Sequence, residues 1–499
     1  MASRLVEQLG AQNIVGASAA ELSDHIRAVI LDGRMTVGER LPSERALAFE
    51  LRRSRSTVTR AYDLLEADGY VSRLHGGGTR VALPNARVPP TAPEDDTAID
   101  LSIASMDSTP GLYDATVRSL PRLAALRGTS GYSLQGLPEL RDAVAQRFAQ
   151  RGLPTSADEI IITSGALNAL NLILTAIGRR GERALVEQPT FPHAMESLHL
   201  HGYRVVPTPV DVDGWDAAHL MEVLLRARPQ QHFQEVGGVP AVDVDGWDAA
   251  HLMEVLLRAR PHVAYLIPDF HNPTGATLPE EVRDRITATA RNAGTHLIVD
   301  ETTAELDIDR GRSPAPLGAF GPHVITLGSM SKIAWGGMRL GWIRAERKLI
   351  SRLLAVRPSF ELGTALLEQC IAVELLADMP ALTSHVRARL LAGRDAVSEG
   401  LAGMGGLTMP ATPGGLSAWV DLGAPVSTRL ALAAREHGLI VPPGPRFTTG
   451  GVLERRLRIP ITLTPERTAE AMSRLRAAWE SLQAGASVPD RALQQTAVI

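Results

Sequence analysis

The stretch Ser329-Met330-Ser331-Lys332-Ile333-Ala334-Trp335-Gly336-Gly337-Met338-Arg339-Leu340-Gly341-Trp342 decides the reading of this chain. Lys332 is one of only two lysines, the other being Lys348, and the remaining 49 of the 51 basic residues are arginine. A chain that uses arginine wherever a positive charge suffices retains lysine where arginine cannot do the work. A primary amine condenses with an aldehyde to give a Schiff base; a guanidinium that never deprotonates does not. Ser329, Ser331 and Arg339 add hydroxyls and a guanidinium suited to a phosphate. Lys332 is therefore a candidate to carry pyridoxal phosphate (PLP). A chance surface lysine is the competing reading, and the one that fits Lys348.

Outward from this stretch, short apolar runs alternate with helical ones. Ile160–Thr163, Arg183–Glu187, Val263–Ile267, Leu297–Val299 and Val324–Leu327 read as strands, and 165–177 as a helix. Such alternation predicts an α/β domain with a mostly parallel sheet covered by helices on both faces, whose ligands sit at the carboxyl ends of the strands. The polar motifs fall at those ends. Thr163-Ser164-Gly165-Ala166 opens a helix, where backbone N–H groups bind phosphate. Phe191, in Pro189-Thr190-Phe191-Pro192, can stack on a flat ring or fill the core. Asn272, in His271-Asn272-Pro273-Thr274-Gly275, can donate to a phenolic oxygen or simply make a turn. Asp300 ends the run Leu297-Ile298-Val299, and a buried carboxylate needs a partner such as a protonated pyridine nitrogen. Arg456-Leu457-Arg458-Ile459-Pro460 alternates like a strand, and one of its arginines can take a carboxylate bidentately.

In this order and spacing the motifs resemble the fold-type-I, PLP-dependent enzymes of the class I/II aminotransferase family, from about residue 100 to 482. The resemblance implies a smaller C-terminal α+β subdomain. It implies Lys332 as the Schiff-base lysine, Asp300 on the pyridine nitrogen, Asn272 on the ring oxygen and Phe191 against the ring. Ser164, Gly165, Ala166, Ser329 and Arg339 would surround the phosphate, and Arg458 would hold an α-carboxylate. Tyr132, in Gly131-Tyr132-Ser133-Leu134-Gln135-Gly136, resembles the tyrosine that reaches the phosphate of a neighbouring subunit, which implies a homodimer. One departure stands out. Many relatives place a tyrosine two or three residues after the aspartate; here Glu301, Thr302 and Thr303 follow Asp300. The loss of that phenol leaves cofactor binding expected and efficient transamination less so.

The first eighty residues carry a different signature. Leu22, Ile26, Val29 and Ile30 mark a helix over 21–31; Ser43 caps a second, with Ala46, Leu47 and Phe49 as its apolar face; Ser54 or Ser56 starts a third, with Val58, Tyr62, Leu64 and Leu65 inward. Two helices across a short turn predict a helix-turn-helix whose second helix enters the major groove of DNA. That helix opens with Arg55, Ser56, Thr57, Thr59 and Arg60, side chains that bond phosphates and base edges. His75-Gly76-Gly77-Gly78-Thr79 is a tight turn joining two strands into a wing. From Arg45 to Arg80 seven arginines face four acidic residues, Glu50, Asp63, Glu66 and Asp68, a net of +3. Leu41-Pro42-Ser43-Glu44-Arg45, Ser54-Arg55-Ser56-Thr57-Val58, Glu66-Ala67-Asp68-Gly69-Tyr70 and Gly76-Gly77-Gly78-Thr79 resemble the GntR family of winged helix-turn-helix regulators. That resemblance implies contacts with an operator from Arg45, Arg55, Ser56, Thr57, Arg60, His75 and Gly76. Thr59 stands where some relatives have arginine.

The expected organisation is a winged helix over 1–83, a Pro-rich acidic linker over 84–98, a PLP domain over 99–482 and a disordered tail over 483–499. Residues 210–229 recur unchanged at 242–261, so one copy should fill the family position while the other forms a peripheral helix. A net charge of −4 and a pI near 6.4 exclude general nucleic-acid binding by the whole chain. The single cysteine, Cys370, excludes an internal disulfide framework and a cysteine-based zinc site, and no metal site is expected. No signal-peptide layout and no apolar run of about 18 residues occurs, so a cytoplasmic protein without a membrane span is expected.

Together the two parts resemble the MocR-type regulators, a GntR module fused to an aminotransferase-like module. The resemblance implies a transcriptional regulator that binds PLP and senses a small amine, an amino acid or PLP itself through Lys332, on paired operator half-sites. The alternative is a catalytically active aminotransferase that carries a DNA-binding domain.

Overall fold

Ser43 and Ser54 each open a helix, as the sequence predicts. The computed structural model describes residues 5, 6, 9, 17–31, 35, 39–74, 78–82, 98–210, 249–311, 314–449 and 453–484. Along the chain come α1 (Ala19–Leu31), α2 (Glu44–Glu50) and α3 (Arg55–Ala67), then an antiparallel hairpin of β1 (Val71–Leu74) and β2 (Gly78–Val81). Ser43 Oγ accepts from Ala46 N at 3.2 Å and Ser54 Oγ from Thr57 N at 3.1 Å. Each cap satisfies a donor that the first helical turn leaves open, worth about 0.5–2 kcal/mol. Leu22, Ile26, Val29, Leu47, Val58, Tyr62 and Leu65 form one apolar cluster, and Tyr62 donates its phenol to Pro42 O at 2.9 Å.

Phe49 corrects the expected apolar face of α2, because it is 84% exposed. Leu47 and Leu51, four residues apart, share the inward face. Position 49 lies halfway between them and points the other way.

A short strand, β3 (Ile99–Asp100), begins the larger part. Then follow α4 (Leu112–Ala125), α5 (Pro138–Gln150), β4 (Ile160–Thr163), α6 (Ala166–Ile177), β5 (Arg183–Gln188), α7 (Pro192–Leu200), β6 (Arg204–Pro209), α8 (Ala249–Ala259), β7 (Val263–Leu266), α9 (Glu280–Ala293), β8 (His296–Asp300), β9 (Val324–Ser329), β10 (Gly341–Arg344), α10 (Arg347–Val356), α11 (Leu366–Leu376) and α12 (Met379–Leu401). The sheet order is β4-β10-β9-β8-β7-β5-β6, with only β10 antiparallel to its neighbours. Successive residues of a strand point to opposite faces. Ile298 accordingly joins a core with Ile161, Val186, Leu170 and Ile173, while Leu297 and Val299 join another with Leu252, Leu256, Val282 and Ile286. Helices therefore cover both faces, as expected.

The chain ends with β11 (Ser417–Asp421), α13 (Ser427–Glu436), β12 (Leu439–Ile440), β13 (Arg456–Pro460) and α14 (Pro465–Gln483). Here β11 pairs antiparallel with β13, and β12 pairs parallel with β3, giving the small α+β subdomain. By compactness the chain falls into two units: residues 1–105, 389–412 and 416–499 in one, and 106–388 with 413–415 in the other.

Of the duplicated sequence, the second copy supplies α8, whose Leu252, Val255 and Leu256 are buried against the sheet. Residues 211–229 of the first copy, and the side chains of Asp248 and Met253 in the second, lie outside the described residues. So do His75 and Gly76, nearly all of the expected linker and nearly all of the expected tail. Among the described residues, no helix is long and apolar enough to cross a membrane.

Candidate functional site

Strand register gathers the polar motifs along one edge of the sheet. Asp300 is opposite Leu327 on β9, which ends at Ser329; Gly341 is opposite both Ser329 and Thr163. The carboxyl ends of β4, β9, β8 and β7 thus bring Ser164–Ala166, Ser329–Lys332, Asp300 and the loop of Asn272 to the same edge. The packing there depends on glycine. A Cβ on Gly341 would lie 2.7 Å from Gly165 C and 2.9 Å from Ala166 N, so only a bare backbone lets β10 support the turn into α6. Gly165 itself has φ +96°, and a Cβ there would sit 2.9 Å from the Arg339 guanidinium. The start of α6 thus lies beside a guanidinium, a combination suited to phosphate.

Each predicted residue has a definite place. Lys332 is half-buried in the turn after β9. Ser329 Oγ contacts Ser331 Oγ at 2.9 Å and donates to Leu340 O at 3.0 Å, and Ser331 N donates back to it at 3.0 Å, which fixes the turn that carries Lys332. Phe191 packs partly buried against the core under α6, edge-on to His193. Ser164 Oγ donates to Glu361 Oε2 at 3.1 Å. Glu361 in turn pairs with Arg357, which is wholly buried and also donates to Ile162 O at 2.7 Å. Tyr132 is exposed.

Asp300 is buried, with Oδ1 accepting from Thr302 N at 2.9 Å and Oδ2 from the Tyr265 phenol at 2.6 Å. A carboxylate has about four lone-pair directions, so room for a further donor remains. Asn272 is buried and its Oδ1 has no hydrogen-bond partner. A buried, unpaired amide oxygen costs free energy unless a ligand or water completes it. These observations fit PLP: an amine, a buried carboxylate with spare acceptor capacity, an amide whose N–H suits a ring oxygen, and helix-start backbone beside a guanidinium, along one edge.

Sequence reasoning missed the layer beneath. Tyr265 is fully buried, and burial followed by the charge of Asp300 pushes its phenol well above the usual value, so it remains a donor. Glu187, at the end of β5, accepts from Ile267 N and lies 3.1 Å from His271 Nε2, which pins the loop of Asn272. Burial raises the Glu187 carboxyl above its ordinary range, while His271 opposes the shift. The available signal was that Glu187, like Asp300, is an acid closing an apolar strand. Thr303, at the place of the missing tyrosine, donates to Asp269 O at 2.7 Å.

In the other unit, Arg458 on β13 is buried, its Nη2 donating to Leu101 O at 3.1 Å and also to Ser102 O, while its Nε has no hydrogen-bond partner. Burial, then the nearby Arg446, lowers its pKa to about 10. On the winged helix, Arg45, Arg55, Ser56 and Arg60 are exposed and Thr57 half-buried. Thr59 donates to Glu44 Oε2 at 2.8 Å, and Arg55 Nε lies 3.6 Å from the same carboxylate. Arg73 on β1 pairs with Asp63 at 2.7 Å and Glu66 at 2.9 Å, which ties the wing to α3.

Two family models match the chain: aminotransferase class I and II over residues 98–475, and bacterial regulatory proteins of the gntR family over 18–81. The uncharacterized HTH-type transcriptional regulator YdcR of Escherichia coli is 28% identical over 469 residues, covering 86% of this chain and 92% of that protein. The HTH-type transcriptional regulator TauR of Rhodobacter capsulatus is also 28% identical, over 84% of this chain and 87% of its own. Among solved structures, the α-aminoadipate aminotransferase LysN of Thermus thermophilus, complexed with N-(5'-phosphopyridoxyl)-L-leucine, superposes with a TM-score of 0.63 at 26% identity, over 78% of this chain and 94% of that one. The chain belongs to the class I and II aminotransferase family, with an N-terminal GntR winged helix-turn-helix region: the MocR-type architecture.

Proposed function

We infer that this protein is a PLP-binding transcriptional regulator. Its winged helix binds an operator, and its aminotransferase-like domain senses a small amine, an amino acid or PLP itself. The observation that carries this reading is the presence in one chain of an exposed, arginine-bearing recognition helix and a strand-end edge built around Lys332, Asp300 and Asn272. When bound, PLP supplies an aldehyde that condenses with amines and a ring that withdraws electrons. Lys332 would offer the amine, Asp300 would take the ring nitrogen, and Asn272 would donate its amide N–H to the ring oxygen. Phe191 would lie against the ring. Ser164, Gly165, Ala166, Ser329 and Arg339 would hold the phosphate, and Arg458, in the other unit, is the candidate for a ligand carboxylate.

The layer beneath serves holding more than turnover. Tyr265 and Thr302 N fix Asp300 from two sides, and no phenol follows Asp300 to trim the charge on the ring oxygen. This favours a sensor over a working aminotransferase. Two features support a homodimer. Tyr113, Val117 and Leu120 leave an exposed apolar stripe along α4, and Tyr132 is exposed as well. A two-fold dimer reads paired half-sites, and a ligand that prefers one dimer arrangement shifts the fraction competent for DNA. A cytoplasmic location is part of the same proposal. The expected boundaries, a winged helix over 1–83, a linker over 84–98 and a PLP domain over 99–482, are part of the same proposal.

The test is a visible absorption spectrum of the protein with PLP beside Lys332→Ala, followed by amines and amino acids, with operator binding measured in parallel. A lysine-dependent band whose ligand-induced change tracks DNA affinity supports the sensor. Multiple-turnover keto-acid production without any effect on DNA would overturn it in favour of the enzyme.

A further inference from the structure

Ser164 stands at the start of α6, yet both of its donors are already engaged. Its backbone N–H donates to Asn168 Oδ1 at 3.3 Å, and its hydroxyl to Glu361 Oε2 at 3.1 Å. Thr364 Oγ1 lies farther off, 3.5 Å from the same hydroxyl, and an ionised acceptor makes the stronger bond. A hydroxyl has one proton, so while it serves Glu361 it cannot serve a phosphate. Gly165, by contrast, opens α6 without any side-chain cap, which leaves first-turn amides of the helix to an anion. The grip on phosphate expected of the Ser164 hydroxyl is thus withheld by a carboxylate far away in sequence.

Glu361 is held from behind. Arg357, wholly buried, donates from Nε to Glu361 Oε1 at 2.9 Å, and its Nη2 lies 2.7 Å from the same oxygen. Nη1 donates to Ile162 O at 2.7 Å and to Leu134 O, and Nη2 to Thr364 Oγ1 at 3.1 Å. The N–H groups of the guanidinium are thereby matched with acceptors on every side. The Glu361 carboxylate is divided: Oε1 belongs to Arg357 and Oε2 to Ser164. Because Arg357 offsets the charge of Glu361, the main cost to an incoming phosphate is the missing hydroxyl proton rather than repulsion between two anions.

We propose that Glu361 is a positioning residue that weakens the phosphate subsite by holding the Ser164 hydroxyl away from it. The inference rests on the PLP reading above and refines it at Ser164. A phosphate gains this hydroxyl only in the fraction of molecules whose Ser164 has left Glu361, and the apparent affinity falls by that fraction. Occupancy of the site then follows the supply of phosphorylated cofactor instead of staying saturated. Glu361→Gln reverses the arrangement at nearly constant shape. Arg357 still requires an acceptor, which draws the amide oxygen to its side and turns the NH2 towards Ser164. The hydroxyl then accepts from that NH2, and its proton is released for the phosphate.

The experiment titrates the full-length protein with PLP and, separately, with pyridoxal, which has the same aldehyde and ring but no phosphate. Wild type, Glu361→Gln and the double variant Glu361→Gln with Ser164→Ala are followed by the visible band. Calorimetry with inorganic phosphate reads the subsite without the cofactor. Glu361→Gln is expected to bind both PLP and inorganic phosphate about fivefold or more tightly, and pyridoxal within about twofold of wild type. Adding Ser164→Ala is expected to remove the gain, which makes the two residues strongly coupled. Glu361→Asp keeps a negative partner for Arg357 but draws back from Ser164, so it is expected to give a smaller gain of the same sign. It decides the question should the Gln variant not fold. Equal or weaker binding of PLP and phosphate in these variants overturns the proposal. So does a parallel change for PLP and pyridoxal, which would place the effect outside the phosphate subsite. A gain that survives Ser164→Ala overturns the role of Ser164. A wild type that forms no band with either aldehyde overturns the PLP reading instead, and the inorganic phosphate result still decides what Glu361 does.

Discussion

The recognition helix and the strand-end edge both concentrate polar side chains, yet they are built in opposite ways. Arg55, Ser56, Thr57 and Arg60 fall within six residues of one helix, mostly exposed, and their cap, Ser54, is the preceding residue. Asn272 and Asp300 come from separate strand ends, are buried, and depend on Glu187 and Tyr265, while Ser164 leans on Arg357 through Glu361. A surface that meets a polyanion needs exposed donors, and water satisfies them until DNA arrives. A surface that holds a small flat cofactor must bury polar groups, and each of these needs a partner already in place. The first kind of site is local in sequence; the second is assembled by topology.

The comparison breaks most sharply at Lys332. Lys332→Ala should abolish the visible PLP band completely and leave operator binding in place, as read by absorption and by DNA titration. Loss of both together would mean that the two regions are one. Next, Leu256→Ala in the buried second copy should cost about 2–5 kcal/mol in denaturant unfolding. The matching Leu224→Ala in the first copy should cost much less if only one copy fills the family position, whereas equal large losses would refute single occupancy. Arg55→Ala should weaken operator binding by about 1–3 kcal/mol and leave the PLP spectrum unchanged. Undiminished DNA affinity would remove α3 as the reading helix. Tyr265→Phe leaves an Asp300 oxygen without its buried donor. It should reduce unfolding stability by about 1–3 kcal/mol, with weaker PLP binding and unchanged operator affinity. Smallest is the cap: Ser54→Ala should cost about 0.5–2 kcal/mol, seen as earlier melting of the winged helix and weaker DNA binding. An unaltered melt would mean that tertiary packing, not the cap, starts α3.

Legibility in the sequence follows the same division. Strand ends were readable because apolar runs stop at a polar residue, as Ile160–Thr163 and Leu297–Asp300 do. Helix starts were readable because Ser43 and Ser54 bond within three residues. Phe49 was misread because seven residues offer too few turns to fix a face. Tyr265 and Glu187 were missed because each looks like an ordinary member of an apolar strand. Only the parallel pairing of β7 with β8, with Tyr265 opposite Ile298, brings the phenol to Asp300.

By itself the sequence determined that this is a winged helix joined to a class I/II aminotransferase-like domain, and it made Lys332 the candidate reactive lysine. Those conclusions rest on covalent chemistry and on periodicities a few residues long. Tertiary structure decided which buried groups complete one another: Tyr265 with Asp300, His271 with Glu187, Arg357 with Glu361 and Ser164, and Glu454 with Thr428 and His25. It also decided that the second copy of the duplicated sequence supplies the buried helix α8. Two identical copies have identical propensities, so the sequence alone could not say that the second packs against the sheet.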